Sequence, residues 1–115
     1  KINKENKMQN IIDEIRRYNK LKMIADDEII PYIEMAESQI SKYAVEEASK
    51  TKAAAFYTLA LLGQKLWLKI QQRANEYDES LDTFKDVKQW EEYWMDKFYK
   101  LTTKKNTSGY FYAAV

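Results

Sequence analysis

Pairs of charged side chains at helical spacing are the first candidates for chemistry in this sequence. Asp13 precedes Arg17 by four residues and Glu34 precedes Glu37 by three, so each pair falls on one face of a helix. Two carboxylates so placed can bind a metal ion or share a proton, but metal centres of helical bundles usually add the histidine of a Glu-x-x-His motif. The chain has no histidine. We therefore expect these pairs to lie on solvated helix faces.

Other residue types that enzymes commonly use are also missing. The chain has no cysteine, so disulfides, zinc sites of the usual kind and Cys/His nucleophile pairs are excluded. Its two glycines, Gly63 and Gly109, do not open a phosphate-binding loop. We predict that the protein is not an enzyme, has no catalytic, cofactor-binding or metal-binding residues, and works by binding other proteins.

The composition favours one helical domain. With 115 residues the chain can build one hydrophobic core, and two glycines and one proline leave few breaks between helices. No charged and then apolar leader opens the sequence, so a cytoplasmic location is the default expectation. We predict an all-α fold in which about four helices surround a central apolar helix, with a helical domain at 1–101 and an extended C-terminal tail at 102–115.

Charge alternates in sign along the chain although the net charge is only +1. Successive segments 1–25, 26–47, 48–73, 74–98 and 99–115 carry net charges of +4, −6, +5, −5 and +3. Segments of opposite sign can attract each other within one subunit or between subunits. Chance clustering on solvated faces would give the same pattern, and the near-neutral total argues against a general nucleic-acid-binding protein.

Apolar spacing predicts the first two helices. Helix one is expected to end near Met23, and helix two to start between Asp26 and Ile30, so that Pro31 falls in its first turn. Their apolar faces are formed by Met8, Ile11, Ile12, Ile15 and Tyr18, and by Ile29, Ile33, Ala36, Ile40 and Tyr43.

The most apolar stretch, 53–70, predicts a single central helix. Thr58, Gly63 and Lys65 interrupt it, so it falls short of the roughly 20 apolar residues that a membrane span requires. Gly63 weakens an isolated helix, so we expect tight backbone packing there. The main buried stripe is predicted to be Ala55, Leu59, Leu62, Leu66 and Ile70.

Polar residues at 75–80 predict a loop, and Thr83 with Asp86 resembles a capping box that opens the last helix. Aromatic side chains then form a seam at helical spacing. Packing on the central helix is the expected role of the seam, with a partly exposed docking surface as the alternative. The seam consists of Val87, Trp90, Tyr93, Trp94, Phe98, Tyr99 and Leu101.

The C-terminal tail changes character, because a polar stretch is followed by the aromatic and β-prone sequence YFYAAV. Apolar segments of this kind are covered either by their own domain or by a partner protein. We predict that the tail and the acidic turn at the start of helix two form protein interfaces. The residues concerned are Tyr110, Phe111, Tyr112, Val115, Asp26, Asp27 and Glu28.

Two stretches resemble the head-to-tail connector family of long-tailed phages, also called adaptors. Residues 21–44, LKMIADDEIIPYIEMAESQISKYA, are similar to the family's acidic turn and following helix, and 53–67, AAAFYTLALLGQKLW, to its Ala- and Leu-rich central helix. The helix before Leu21 is longer than the resemblance implies, and the helix with Trp90 and Trp94 is not typical of the family.

The resemblance implies a structural virion protein made in the host cytoplasm and located at the neck. A homo-oligomeric ring would dock on the portal, extend the DNA channel without sequence-specific binding or membrane contact, and attach further neck or tail proteins. The C-terminal tail would insert into the portal or a neighbouring subunit, and Asp26–Glu28 would meet a basic neighbour.

Two other functions fit the same composition. One is a free-standing helical protein-binding module, such as a protein resembling the bacteriocin-immunity proteins, which would be monomeric. The other is a small regulator that binds nucleic acid through the basic segment 1–22, although no recognition-helix pattern accompanies it.

Overall fold

A computed structural model describes residues 4–72 and 84–103 of the chain, and these form an all-α bundle. Helix α3 is the central element, because α1, α2 and α5 all pack against it. The predicted fold class is therefore confirmed. The elements in chain order are α1 (Lys4–Tyr18), α2 (Asp26–Ile40), β1 (Ala44–Val45), a 3₁₀ turn (Glu47–Ser49), α3 (Lys50–Leu61), α4 (Gly63–Gln72), α5 (Val87–Tyr99) and β2 (Thr102–Thr103).

The predicted central helix is two helices, since α3 ends at Leu61 and α4 begins at Gly63. Leu62 keeps right-handed helical torsion angles (φ −74°, ψ −9°) and its amide donates to the Thr58 carbonyl at 2.9 Å, so the interruption is a single residue long. Most of α3 is buried, as expected for a helix enclosed by three others, and the stripe predicted from its spacing is buried as far as Leu66. The buried α3 residues are Ala53, Ala54, Ala55, Phe56, Thr58, Leu59 and Ala60.

Helix α5 crosses the α3–α4 junction in close contact. The Trp90 Nε1 donates a 2.6 Å hydrogen bond to the carbonyl of Leu59, in the last turn of α3, where helix carbonyls lack partners further along the helix. A Cβ atom on Gly63 would lie 2.9 Å from both Trp90 Cδ1 and Val87 Cγ2. The expected close packing at Gly63 is confirmed, and glycine is required because α5 occupies the space of a side chain.

Helix α1 ends at Tyr18, five residues before the predicted end near Met23. The chain turns because buried Leu21 adopts a positive φ of 51° and the Asn19 side chain accepts the Leu21 amide at 3.0 Å. A left-handed conformation costs a leucine on the order of 1 kcal/mol. The turn therefore depends on compensating contacts.

Arg16 supplies those contacts. Its guanidinium donates to the carbonyls of Lys20, of Leu21 at 2.9 Å and of Ile24 at 2.8 Å, and to Asp26 Oδ1 at 2.7 Å. One side chain thus holds three carbonyls of the α1–α2 connection and the first residue of α2. The planar guanidinium is suited to this because its donors point in fixed directions.

Helix α2 starts at Asp26, within the predicted interval, but Pro31 lies in its second turn and not its first. Proline has no amide hydrogen to donate to the carbonyl four residues earlier, which belongs to Asp27. Both residues are exposed, so solvent can reach that carbonyl. On the predicted apolar face, Ile29, Ile33 and Ala36 are buried.

The start of α5 differs from the predicted capping box at Thr83. Asp86 is itself the N-cap, and its carboxylate accepts the Gln89 amide at 2.9 Å, so the helix begins at Val87. Thr83 and the predicted loop at 75–80 lie outside the described residues. Within the aromatic seam, Trp90, Trp94 and Phe98 are buried. These three pack into the core, whereas Tyr93 and Tyr99 remain exposed.

The last described residues belong to a short antiparallel pairing. Thr103 lies opposite Ala44, and Thr102 lies opposite Val45. The predicted tail begins at Thr102, so its first two residues lie on the bundle. The interface residues predicted at Tyr110–Val115 fall outside the described residues.

The packing at Gly63 predicts the effect of a single methyl group. In the Gly63→Ala variant, the contacts with Trp90 and Val87 should lower the free energy of unfolding by about 1–3 kcal/mol, as overpacking of a core does, although alanine favours helix formation. Denaturant unfolding measures the change. Gln64→Ala, at an exposed neighbouring position, is the control and should be neutral or slightly stabilising. A Gly63→Ala variant as stable as the original chain would contradict the packing.

The contacts of Arg16 predict a difference between two adjacent arginines. Arg16→Lys should lower the free energy of unfolding by about 1–3 kcal/mol, because a single ammonium cannot serve three carbonyls and a carboxylate. Arg17 is exposed and contacts Glu14 at 3.3 Å, so Arg17→Lys should change the free energy of unfolding by less than about 0.5 kcal/mol. Thermal unfolding of both variants tests this, and equal losses would show that Arg16 does not hold the turn.

Candidate interaction surface

The acidic turn at Asp26–Glu28 is connected to two basic elements of its own chain. Besides the contact of Asp26 with Arg16, the Glu28 carboxylate lies 2.8 Å from Lys69 Nζ and 3.7 Å from Lys65 Nζ, both on α4. Its other oxygen accepts the amide of Ala25 at 2.9 Å. Glu28 therefore joins the start of α2 to α4.

These contacts stabilise the ionised form of Glu28. The hydrogen bond from Lys69, the Ala25 amide and the charges of Lys69 and Lys65 together lower the pKa of Glu28 from 4.5 to about 2, against a smaller opposing effect of burial. The carboxylate stays charged at any pH near neutrality. It acts as a structural anion within the bundle.

Some of the segments of opposite charge along the sequence thus form ion pairs within one subunit. Negative α2 contacts positive α4 through Glu28 and positive α1 through Glu37, which lies 3.2 Å from Lys7. Of the three acidic-turn residues, Asp27 is exposed, and it makes no ion pair with another residue in 4–72 or 84–103. The predicted contact between this turn and a basic neighbour stays a prediction, and Asp27 is the residue best placed to make it.

A cluster of three tyrosines lies where α3, α5 and β1 meet. The rings of Tyr43 and Tyr57 pack edge-on against buried Phe98, with centroids 5.1 and 5.0 Å away, and Tyr99 lies 6.1 Å from Tyr43. Burial and a hydrogen bond with Tyr99 raise the pKa of Tyr43. Burial, with a contribution from Tyr99, also raises the pKa of Tyr57. Phenols with one apolar side and one polar tip are typical of protein interfaces.

A groove between α2 and α3 borders this tyrosine cluster. Its volume is about 530 Å³, and Tyr57 belongs to both features. Met35, whose side chain is 52% exposed, lies along it, so apolar surface faces solvent there. We call it the α2–α3 groove. The lining residues are Pro31, Glu34, Met35, Ser38, Gln39, Tyr57 and Leu61.

A second, more polar groove of about 890 Å³ lies between α1, β1 and the start of α3. Two ion pairs border it, Lys7 with Glu37 at 3.2 Å and Lys50 with Glu47 at 3.2 Å. This groove therefore presents charged side chains to solvent, whereas Met35 presents apolar surface in the α2–α3 groove.

Sequence reasoning missed the α2–α3 groove. The sequence did contain one indication of it, because Tyr57 and Leu61 are four residues apart and fall outside the predicted buried stripe of the central stretch.

Within 4–72 and 84–103 no three acidic side chains are grouped as metal ligands would be, and no helix is long and apolar enough to cross a membrane. The arrangement is suited to holding an apolar or aromatic segment of a protein.

Comparisons of the chain with protein-family models, with curated proteins and with solved structures find no match. The candidate surface therefore has to be interpreted from its own residues.

The lowered pKa of Glu28 predicts a pH dependence of stability. The ionised Glu28 carboxylate makes its full contribution to the free energy of unfolding above pH 4.5, where Glu28 is also ionised in the unfolded chain. This contribution is lost as the pH falls towards 2. Solvent screening keeps the contribution on the order of 1 kcal/mol. Glu28→Gln should therefore flatten the fall in unfolding free energy between pH 4.5 and pH 2. Asp27→Asn is the control, and identical slopes in Glu28→Gln and the original chain would exclude the proposed ion pairs.

Proposed function

We propose that this protein is a structural virion protein, a head-to-tail connector of a long-tailed phage. A ring of identical subunits would dock on the portal, extend the DNA channel without reading its sequence, and offer an attachment surface to further neck or tail proteins. The observation that carries the proposal is the resemblance of 21–44 and 53–67 to that family.

The fold is compatible with this function. The first of the two stretches forms the acidic turn with α2 and the short β1 region, and the second forms most of α3 and the start of α4. They pack against each other at the centre of the bundle. The resemblance therefore concerns the structural centre of the chain rather than its periphery.

The candidate surface suggests which residues a ring partner would contact. The tyrosine cluster lies beside Ala44, which pairs with Thr103, so the first two residues of the predicted tail lie next to exposed aromatic side chains. In the proposed assembly, the tail inserts into the portal or a neighbouring subunit, and Tyr43 and Tyr99 pack at that contact. Aromatic anchors surrounded by polar residues are typical of strong interfaces.

One observation favours the alternative, a free-standing helical protein-binding module comparable to a bacteriocin-immunity protein. The elements of opposite charge pair within a single chain, through Glu28 with Lys69 and Glu37 with Lys7. The alternation of charge therefore does not require a second subunit. A monomeric module would use the same tyrosine cluster and α2–α3 groove.

Electron microscopy of the chain co-expressed with the portal protein encoded near its gene tests the connector proposal. We expect an additional ring of density beneath the portal. Deleting Tyr110–Val115 should remove this ring while leaving the helical circular dichroism unchanged, because the described helices do not include these residues. Gln64→Ala, at an exposed position outside the proposed contacts, serves as a surface variant that keeps the tail.

A portal without added density in the presence of the folded, full-length chain would contradict the connector function. A portal gene that is absent from the neighbourhood, together with a monomeric chain that binds a different protein, would favour the immunity-like alternative.

A further inference from the structure

The α2–α3 groove combines exposed apolar side chains with negative charge. Pro31 and Met35 are exposed along it, and Glu34 lies between them, also exposed, without an ion pair to another residue in 4–72 or 84–103. Asp27 lies on the same face of α2, because it precedes Pro31 by four residues and Glu34 by seven. Helix α2 carries five carboxylates and no basic residue. A surface that is apolar and positively charged therefore matches this groove best.

A second exposed surface of the same chain has these properties. The rings of Tyr18 and Tyr93 are exposed and flank buried Trp94, with centroid distances of 6.1 and 4.9 Å. The Nζ of Lys97 lies 5.0 Å from the centre of the Tyr93 ring, and Lys97 makes no ion pair within the part of the chain that the structure describes. We call Tyr18, Tyr93 and Lys97 the Tyr93 patch. It places a cation beside two aromatic rings, which are frequent anchors of protein interfaces.

Two carboxylates next to the Tyr93 patch already have partners. Glu14 is paired with Arg17 at 3.3 Å, and Asp96 with Lys100 at 3.3 Å. Lys97 is therefore available to a carboxylate of another molecule.

The other exposed apolar side chains match the groove less well. Leu68 lies on α4, whose two lysines both contact Glu28. Tyr43 and Tyr99 belong to the tyrosine cluster, which borders the groove itself. Among the described residues, the Tyr93 patch is thus the exposed aromatic or apolar surface whose charge best complements the groove.

The groove and the Tyr93 patch lie on different sides of α3. Phe56 contacts Tyr18 and Trp94, with centroid distances of 4.8 and 6.0 Å, so it packs beneath the patch. The next residue, Tyr57, lines the groove. Successive side chains of an α-helix point about 100° apart. Because both surfaces are exposed in one chain, contact between them requires a second copy.

We propose that the α2–α3 groove of one subunit receives the Tyr93 patch of a second copy of this chain, with Tyr93 against Met35 and Lys97 against Glu34. The two surfaces share no residue, so each subunit that has made one such contact can make another, and repetition gives a closed ring or an open filament. The inference rests on the proposed connector function, because it names the contact between neighbouring subunits of that ring.

Charge reversal in the full-length chain tests this contact, with self-association measured by sedimentation equilibrium at low salt, where exposed ion pairs are screened least. The original chain should associate as its concentration rises. Glu34→Lys and Lys97→Glu should each weaken the association by about tenfold or more, because like charges then meet. An equimolar mixture of the two variants should associate as strongly as the original chain, since the reversed groove of one matches the reversed patch of the other and their unchanged surfaces also match.

The matched controls are Glu46→Lys and Lys88→Glu, at exposed positions outside both surfaces. They should leave the association unchanged, singly or mixed, and circular dichroism checks that all variants remain folded. A chain that stays monomeric at every concentration would overturn the inference, as would single reversals without effect or a mixture that does not recover.

The inference and the connector function can fail separately. A ring on the portal that forms equally well with Glu34→Lys would keep the connector function and overturn this subunit contact. Association that follows the expected pattern of reversal and recovery, without added density on the portal, would support the contact and contradict the connector function.

Discussion

The approach of α5 to the junction between α3 and α4 is the constraint on which the bundle depends. Trp90 fills the space that a side chain at position 63 would take, and its indole nitrogen satisfies a carbonyl at the end of α3. The same indole contacts Trp67 of α4 and Trp94 one turn along α5. A single buried ring therefore contacts both sides of the α3–α4 junction and determines how close α5 lies to it.

Electrostatic contacts hold α1 and α4 to the start of α2. Arg16 closes the α1–α2 connection, and Glu28 ties the start of α2 to α4, so the acidic turn is part of the folded structure before any partner is considered. The charged side chains that suggested an interface in the sequence have mainly an internal role. The tyrosine cluster and the α2–α3 groove offer a partner aromatic and apolar surface beside these charged contacts. Partner recognition by packing is consistent with both functions considered above.

Local periodicity was sufficient to predict the helices and much of the core. The spacing of Ile11, Ile12 and Ile15, and of Ile29 and Ile33, identified buried faces correctly, and Gly63 signalled a close contact. The errors have non-local causes. The junction at Leu62 lies beside a hydrogen bond between residues 31 positions apart. Helix α1 ends earlier than its apolar spacing predicts, in the region where Arg16 contacts Asp26. A groove that two helices form together gives no pattern in the sequence of either helix alone.

All three tryptophans of the chain, Trp67, Trp90 and Trp94, lie in this one cluster around α5, whereas Tyr43, Tyr57 and Tyr99 lie together at the surface. The three indoles therefore share one environment at the helical centre, which Tyr18 and Tyr93 also contact. Emission excited selectively from the indoles follows the integrity of that centre. The protein thus contains a native spectroscopic reporter of its folding.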